Sequence, residues 1–295
     1  MSRYSVNRPV WMEKPSPVLT LLKVVVLTMF VAVVVYPFLV VVSTSISTEG
    51  LINRAGGLVT IPTEISFKAY QQILSGGVVT RALIISVCVT AIGTLLSLTC
   101  TVLAAYGLSR PDSFGHRALL TIVLLTLLFT PGIIPNYLAV KSFGLLDNYA
   151  ALIVPTAINA FNLIVMRNFF LSIPQELLDA ARVDGATDAK VLWSIVLPLS
   201  RAVVAVIGMF YGVAYWNSFF SALLYMSDTS KWPLQLVLRI FVLQGQAIDT
   251  SAVVPPPQQA LQMAIVVLAV LPILFAFPFV QRHFTKGVIT GAIKG

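Results

Sequence analysis

Amide and phenol side chains recur at helical spacing in otherwise apolar stretches of this chain. Asn159 and Asn162 stand three residues apart, and Tyr211 and Tyr215 four apart, so each pair falls on one helix face. Thr130, Asn136 and Tyr137 lie on an earlier stretch, and Asn217 and Ser218 follow the tyrosines. Such groups donate and accept hydrogen bonds and offer ring faces, the chemistry that holds a hydroxyl-rich ligand such as a sugar. Two other uses compete. Asparagine amides bond helix to helix in membranes, and Tyr215 with Trp216 suits an interfacial aromatic belt. Groups for catalysis are sparse: His116 and His283 are the only histidines, and no Ser/His/Asp or metal-ligand spacing surrounds either. The dipeptide Gly-Lys occurs nowhere, so there is no G-x-x-x-x-G-K-[ST] loop to cradle nucleotide phosphates.

The second constellation is charged. Asp179, Arg182, Asp184, Asp188 and Lys190 crowd the stretch 177–199. Ser172 and Gln175 have capping-box spacing, and Pro174 fits a first helical turn. Gly185 suits the left-handed stop after a helix. Thr187 can cap a second helix through Val191, Leu192 and Ile195, after which Pro198 is predicted to open the next apolar stretch. The expectation is helix, glycine turn, helix. A solvated amphipathic loop satisfies that pattern. So does a docking helix, with Ala180, Ala181 and Ala186 admitting a partner closely.

What positions these groups is a greasy scaffold. The chain is 58% hydrophobic and 10% charged, where soluble domains carry about 25% charged residues. Six uncharged windows stand out: Val24–Thr48, Ala82–Leu108, Ala118–Val140, Tyr149–Met166, Ala202–Met226 and Ser251–Gln281. A membrane-spanning helix needs about 20 mostly apolar residues, which the Tyr149–Met166 window only just approaches. Strict apolar/polar alternation, the mark of a membrane β-barrel, is missing. The fold expected is an all-α integral membrane protein of six spans with a cytoplasmic helix-turn-helix loop at 172–198. The segments are a cytoplasmic 1–23, a membrane domain at 24–282 and a cytoplasmic tail at 283–295. The first apolar run is longer than a signal-peptide core, so it reads as an uncleaved span.

The net charge of +8 does not indicate nucleic acid. Arg3, Arg8, Lys14, Lys23, Arg110, Arg117, Arg167, Arg182, Lys190, Arg201, Arg282, Lys286 and Lys294 fall on one side of a six-span plan, and only Arg54, Lys68, Arg81, Lys141, Lys231 and Arg239 on the other. That bias places both termini in the cytoplasm. Cys88 and Cys100 are twelve helical positions apart, about 18 Å, so they cannot bond to each other. Gly208 and Gly212 have the spacing for close helix approach. The uncharged windows hold no Asp, Glu, Lys, Arg or His, where proton- and ion-coupled carriers commonly place one. An energy source on a partner follows, although an ion-coupled carrier with carbonyl sites, an intramembrane enzyme and a non-transporting scaffold or receptor subunit remain alternatives.

The charged stretch is similar to the coupling-loop motif of ABC importer permeases. That motif has an acidic residue, Ala-Ala, three residues, Gly, nine residues, then Ile-x-Leu-Pro. Here it reads Asp179-Ala180-Ala181, Gly185, then Ile195-Val196-Leu197-Pro198, with Asp184-Gly185-Ala186 matching the common Asp-Gly-Ala. The ending "GVITGAIKG" resembles the C-terminus of the maltose-type second permease of carbohydrate importers. "WPLQLVLRIFVLQ" resembles the branch that imports fragments of complex polysaccharides, including uronate-rich oligosaccharides such as alginate fragments. The resemblance implies a subunit of the bacterial inner membrane that moves oligosaccharides and has no cofactor of its own. ATP and Mg would sit on two copies of a cytoplasmic ATPase. A second homologous permease and an extracytoplasmic sugar-binding protein would complete the assembly. The resemblance also implies that Asp179, where the family usually has Glu, meets the ATPase together with Ala180, Ala181, Asp184, Gly185, Ala186, Leu197 and Pro198.

Overall fold

The computed structural model describes residues 16–244, apart from 112 and 130, and residues 258–292. In chain order its helices are α1 (Pro17–Ser45), α2 (Glu49–Arg54), α3 (Lys68–Leu74), α4 (Val78–Leu108), α5 (His116–Leu128), α6 (Ile133–Ser142), α7 (Ala150–Ile153), α8 (Ala160–Leu171), α9 (Gln175–Val183), α10 (Asp188–Val191), α11 (Leu197–Leu199), α12 (Arg201–Trp216), α13 (Phe219–Tyr225), α14 (Leu234–Gln244) and α15 (Gln258–Ala292). Among the described residues the only β pairing is an isolated bridge between Ser47 and Ile65.

Three helices are long and apolar enough to cross a bilayer: α1, α4 and the Gln259–Pro278 part of α15. Two more spans arise if bent pairs are joined. Ala150–Thr156 and Ala160–Leu171 meet at 49°, and Asp188–Leu199 and Arg201–Trp216 at 85°. The fourth sequence window is therefore bent and not one straight helix. Val154–Thr156 tightens to a 3₁₀ turn around Pro155, which has no N–H for the helical ladder. The third window is split in a similar way: α5 ends at Leu128 and α6 begins only at Ile133.

The core is built on α4. Its buried face runs through Ser86, Val89, Gly93, Ser97, Thr101 and Ala105, small or hydroxyl-bearing residues at about one per turn. This stripe takes α12. Thr101 Oγ1 bonds Tyr211 Oη at 2.7 Å and Ser97 Oγ bonds Tyr215 Oη at 2.7 Å. Gly93 makes room for the second ring, since a Cβ there would lie 2.9 Å from Tyr215. Gly208 and Gly212 face Leu98 and Thr94 across the same seam, at ordinary contact distance for an added Cβ. They are packing glycines, as their spacing indicated. Beyond this seam Trp216 Nε1 donates to the Ala269 carbonyl at 2.7 Å, joining α12 to α15. α1 leaves all but Ser43–Ser45 of its length accessible and packs along α15.

Two local expectations need correction. No capping box forms at 172–175. Ser172 Oγ turns back to the Phe169 carbonyl at 2.7 Å, and Pro174 stands at the N-cap position without a side-chain cap bond. Pro198 does not open the next span. It lies inside α11 after a π-helical stretch, Leu192–Val196, and α12 starts at Arg201 beyond the 85° bend. A wide turn ahead of a proline relieves the clash of its ring with the preceding turn.

Candidate functional site

Where the fourth stretch breaks, a cleft of about 540 Å³ opens between the break, α8, α12 and α13. It brings together six of the nine residues singled out for a ligand path: Asn159, Asn162, Tyr211, Tyr215, Asn217 and Ser218. Asn136 lines an adjoining cleft of about 290 Å³ that shares Thr156, Phe220 and Ser221 with the first. Tyr137 lines neither. Its ring stacks on Tyr225, 6.4 Å between centroids, and backs the wall of the smaller cleft. Thr130 lies outside the described residues. None of the residues lining the larger cleft is charged.

The polar groups of the cleft divide by what they already bond. Tyr211 Oη bonds Thr101 and accepts from the Asn159 backbone N–H at 3.0 Å. Tyr215 Oη bonds Ser97 and donates to the Ile153 carbonyl at 3.2 Å. Both hydroxyls thus hold the break open, and what the tyrosines offer a ligand is ring face. Their rings lie 6.5 Å apart at an interplanar angle of 22°. Asn159 caps α8, its Oδ1 accepting from the Asn162 N–H at 3.1 Å. Asn217 Nδ2 is spent on the Val213 carbonyl at 2.9 Å. Asn162 differs. It is 6% exposed, lines the cleft, and its side-chain amide has no hydrogen bond among the described residues. Its amide opens onto the cleft, where a ligand or water can reach it. Thr101 and Ser97 escaped sequence reading, although their four-residue spacing on α4 mirrors that of the tyrosines they hold.

At the other end of α12 lies the charged stretch. α9 ends in a Schellman turn: Ala186 N–H bonds the Ala181 carbonyl at 2.9 Å and Gly185 N–H the Arg182 carbonyl at 3.0 Å. Gly185 has φ +78°, the left-handed conformation this turn requires. Thr187 caps α10, its Oγ1 accepting from Lys190 N–H at 3.4 Å. The predicted residues then split between two faces. Ala181, Ala186 and Leu197 pack with Leu178 against the protein's own core, and Pro198 is half-buried. Asp179, Ala180, Asp184 and Gly185 face out. Only Ala180 of the three alanines is therefore open to a partner. Val183 and Trp193, which the motif did not flag, present the large apolar surface here, at 88% and 68% exposed. Asp179 is tied within its own helix, accepting from Arg182 Nη1 at 3.1 Å and Gln175 Nε2 at 3.2 Å.

A third cluster joins two loops on the cleft side of α13. Asp147, the one non-glycine residue at positive φ (+60°) among those described, accepts from the N–H groups of Ser227 and Asp228 at 3.1 and 3.0 Å. Lys231 Nζ lies 2.9 Å from its Oδ2 and donates to its carbonyl as well. The Asp228 N–H, then the lysine, hold the Asp147 carboxyl below the usual aspartate range. The same pairing raises Lys231.

Comparison with known proteins accounts for the arrangement. The chain is 45% identical over 275 residues to the polygalacturonan/rhamnogalacturonan transport system permease protein YtcP of Bacillus subtilis (strain 168), covering 91% of this chain and 96% of that one. It is 41% identical over 268 residues to Protein LplC of the same organism, covering 90% of each. Among solved structures, a chain of a bacterial ABC transporter involved in the import of the acidic polysaccharide alginate superposes with a TM-score of 0.84 at 30% identity, covering 92% of this chain and all of that one. Residues 97–290, from the α4 stripe through the cleft and the charged loop to the end of α15, match the family described as binding-protein-dependent transport system inner membrane component, and it is to that family that this chain belongs.

Proposed function

We propose that this chain is a six-span permease subunit through which an ABC importer passes uronate-type oligosaccharides into the cytoplasm, and that the cleft at the broken span lies on the sugar's path. The observation that carries the reading is Asn162, an amide held in the cleft with nothing of the protein's own to bond. Sugars bring hydroxyls for such a group and CH faces for the stacked tyrosines. The cargoes named for YtcP and for the alginate transporter are acidic polysaccharides. No charged residue lines the cleft, so a carboxylate there meets amide and hydroxyl donors and not an ion-pair partner.

The remaining assignments follow from the same plan. The third window forms one span from α5 and α6, giving six, with both termini cytoplasmic by the bias of Lys and Arg. The exposed apolar surface of α5 and α6, including Leu128, Ile134 and Leu138, borders the cleft and takes a second, homologous permease. Two cytoplasmic ATPase copies supply the energy, one of them seated on Ala180, Val183, Asp184, Gly185 and Trp193. ATP and Mg belong to those copies and not to this chain. The loops joined by Asp147 and Lys231 face the sugar-binding protein.

The test is Asn162→Leu in the assembled importer in proteoliposomes, with oligogalacturonide and alginate oligomers as cargo. Leucine keeps the branching and side-chain heavy-atom count of asparagine without the amide, and its added bulk faces the cleft, so thermal stability should hold. Uptake should fall about tenfold, as when one or two hydrogen bonds of about 1 kcal/mol each are lost to a bound ligand. Uptake equal to wild type would remove the cleft from the path.

A further inference from the structure

The inner end of α4 is tied to the charged loop by a cluster that neither the cleft nor the docking face uses. Arg110, just beyond the helix, donates to the Asp188 carboxylate and to Tyr106 Oη. Tyr106 Oη in turn donates to the Asp188 backbone carbonyl at 3.0 Å. Asp188 is the first residue of α10, immediately after the glycine turn and its threonine cap. The two charges are unequally placed: the Arg110 side chain is 20% exposed and that of Asp188 68%. The body of the protein holds the cation, and the loop brings the anion to it. Arg167 of α8 closes the other side, donating Nε to the Leu108 carbonyl at 2.7 Å. Under α9 itself a small cleft of about 90 Å³ separates the helix from the end of α4. There the polar cluster bridges the gap, beside the packing of Leu178, Ala181 and Ala186 against the core.

From that end the bonded path continues. α4 meets Tyr211 and Tyr215 through Thr101 and Ser97, and Tyr215 reaches Ile153 at the break that shapes the cleft. Coupling between distant sites is carried by such contiguous packed and hydrogen-bonded contacts. We propose that Arg110, with Tyr106 and Asp188, is the positioning joint that passes movement of the charged loop to α4 and so to the cleft. The proposal rests on the reading of that loop as the ATPase-docking element. Arg110 touches neither sugar nor nucleotide. Its part is to make α4 follow α10.

The experiment uses the whole importer in proteoliposomes and compares Arg110→Gln with Arg110→Lys. It reads ATPase co-purification, basal hydrolysis, and sugar delivered per ATP hydrolysed. Arg110→Gln should keep the ATPase subunit and basal hydrolysis at wild-type levels, and lower sugar delivered per ATP about 5- to 20-fold, the low end of measured site-to-site coupling. Arg110→Lys keeps the cation and should stay within about 2-fold of wild type. Three results would overturn the proposal: wild-type delivery per ATP in Arg110→Gln, loss of the ATPase subunit from that variant, or equal behaviour of the two variants. A wild-type complex whose hydrolysis ignores the loaded binding protein would instead sink the importer reading on which it rests.

Discussion

A single hydrogen atom in place of a methyl group decides the α4–α12 seam. At Gly93 an added Cβ would stand 2.9 Å from the Tyr215 ring, which is itself pinned by bonds to Ser97 and Ile153 and cannot swing away. Gly93→Ala should therefore destabilise the permease by about 1–3 kcal/mol, the usual penalty for overpacking. At Gly212 the nearest atom is Thr94 Oγ1 at 3.6 Å, and Gly212→Ala should be nearly silent. Thermal unfolding of the two variants in one detergent checks the contrast, and equal melting temperatures would refute it. Asp179 makes the opposite case. The family resemblance gives this carboxylate to the ATPase, yet it is 57% exposed and already engaged by Arg182. An exposed pair of this kind is worth about 0–1 kcal/mol. Asp179→Ala should thus weaken ATPase co-purification only slightly, while Val183→Asp, which charges the open apolar face, should abolish it. Full co-purification with Val183→Asp would place the docking face elsewhere.

Among the elements, the clasp between the 143–149 loop and the 226–231 loop has its own pH behaviour. The Asp147 carboxyl is held below its ordinary pKa of 3.8, so its contribution is complete above that value and is lost only as pH falls through the lower, folded value. Lys231 is raised above its ordinary 10.5, so its contribution is complete below that value and lost as pH rises through the higher one. Between about pH 5 and 10 the clasp should stay shut. Asp147→Asn isolates the charge, because asparagine also tolerates the left-handed backbone seen at this position. Hydrogen exchange at the Ser227 and Asp228 amides should quicken in that variant at neutral pH, and unchanged exchange there would mean the carboxylate is not what orders the loop.

For the whole molecule, the missing phosphate loop carries a direct expectation: the purified chain alone should neither bind nor hydrolyse ATP, and turnover in a preparation free of other subunits would contradict it. How much of this could be read in advance follows from the range of each interaction. The glycine turn at Gly185 and the Thr187 cap were legible because a backbone conformation and its cap are settled within a few residues. Six apolar windows were legible from composition, and their described residues are mostly helical, with the third and fourth interrupted. Pro131 and Pro155 stand where the third and fourth windows break, but the 49° bend at Pro155 depends on packing that sequence does not show. The bonding of Tyr211 and Tyr215 to Thr101 and Ser97 was hidden, since those partners lie more than 100 positions apart and a tyrosine facing a ligand looks the same in sequence as one facing a hydroxyl. Arg110 was seen only as part of a charge bias, and Asp188 only as one charge of the stretch 177–199.

The packing of α1 along α15 has a consequence for how the protein is made. The first helix leaves the ribosome while its partner is still more than 200 residues away in the message. At about 5–20 residues per second it waits on the order of 10–40 s. It can wait in lipid because nearly all of its surface is apolar and open, so insertion need not await folding. Closure of the bundle, in contrast, waits for α15. A chain stopped before Gln258 would hold an inserted first helix beside an unfinished wall, which is the state that membrane proteases remove.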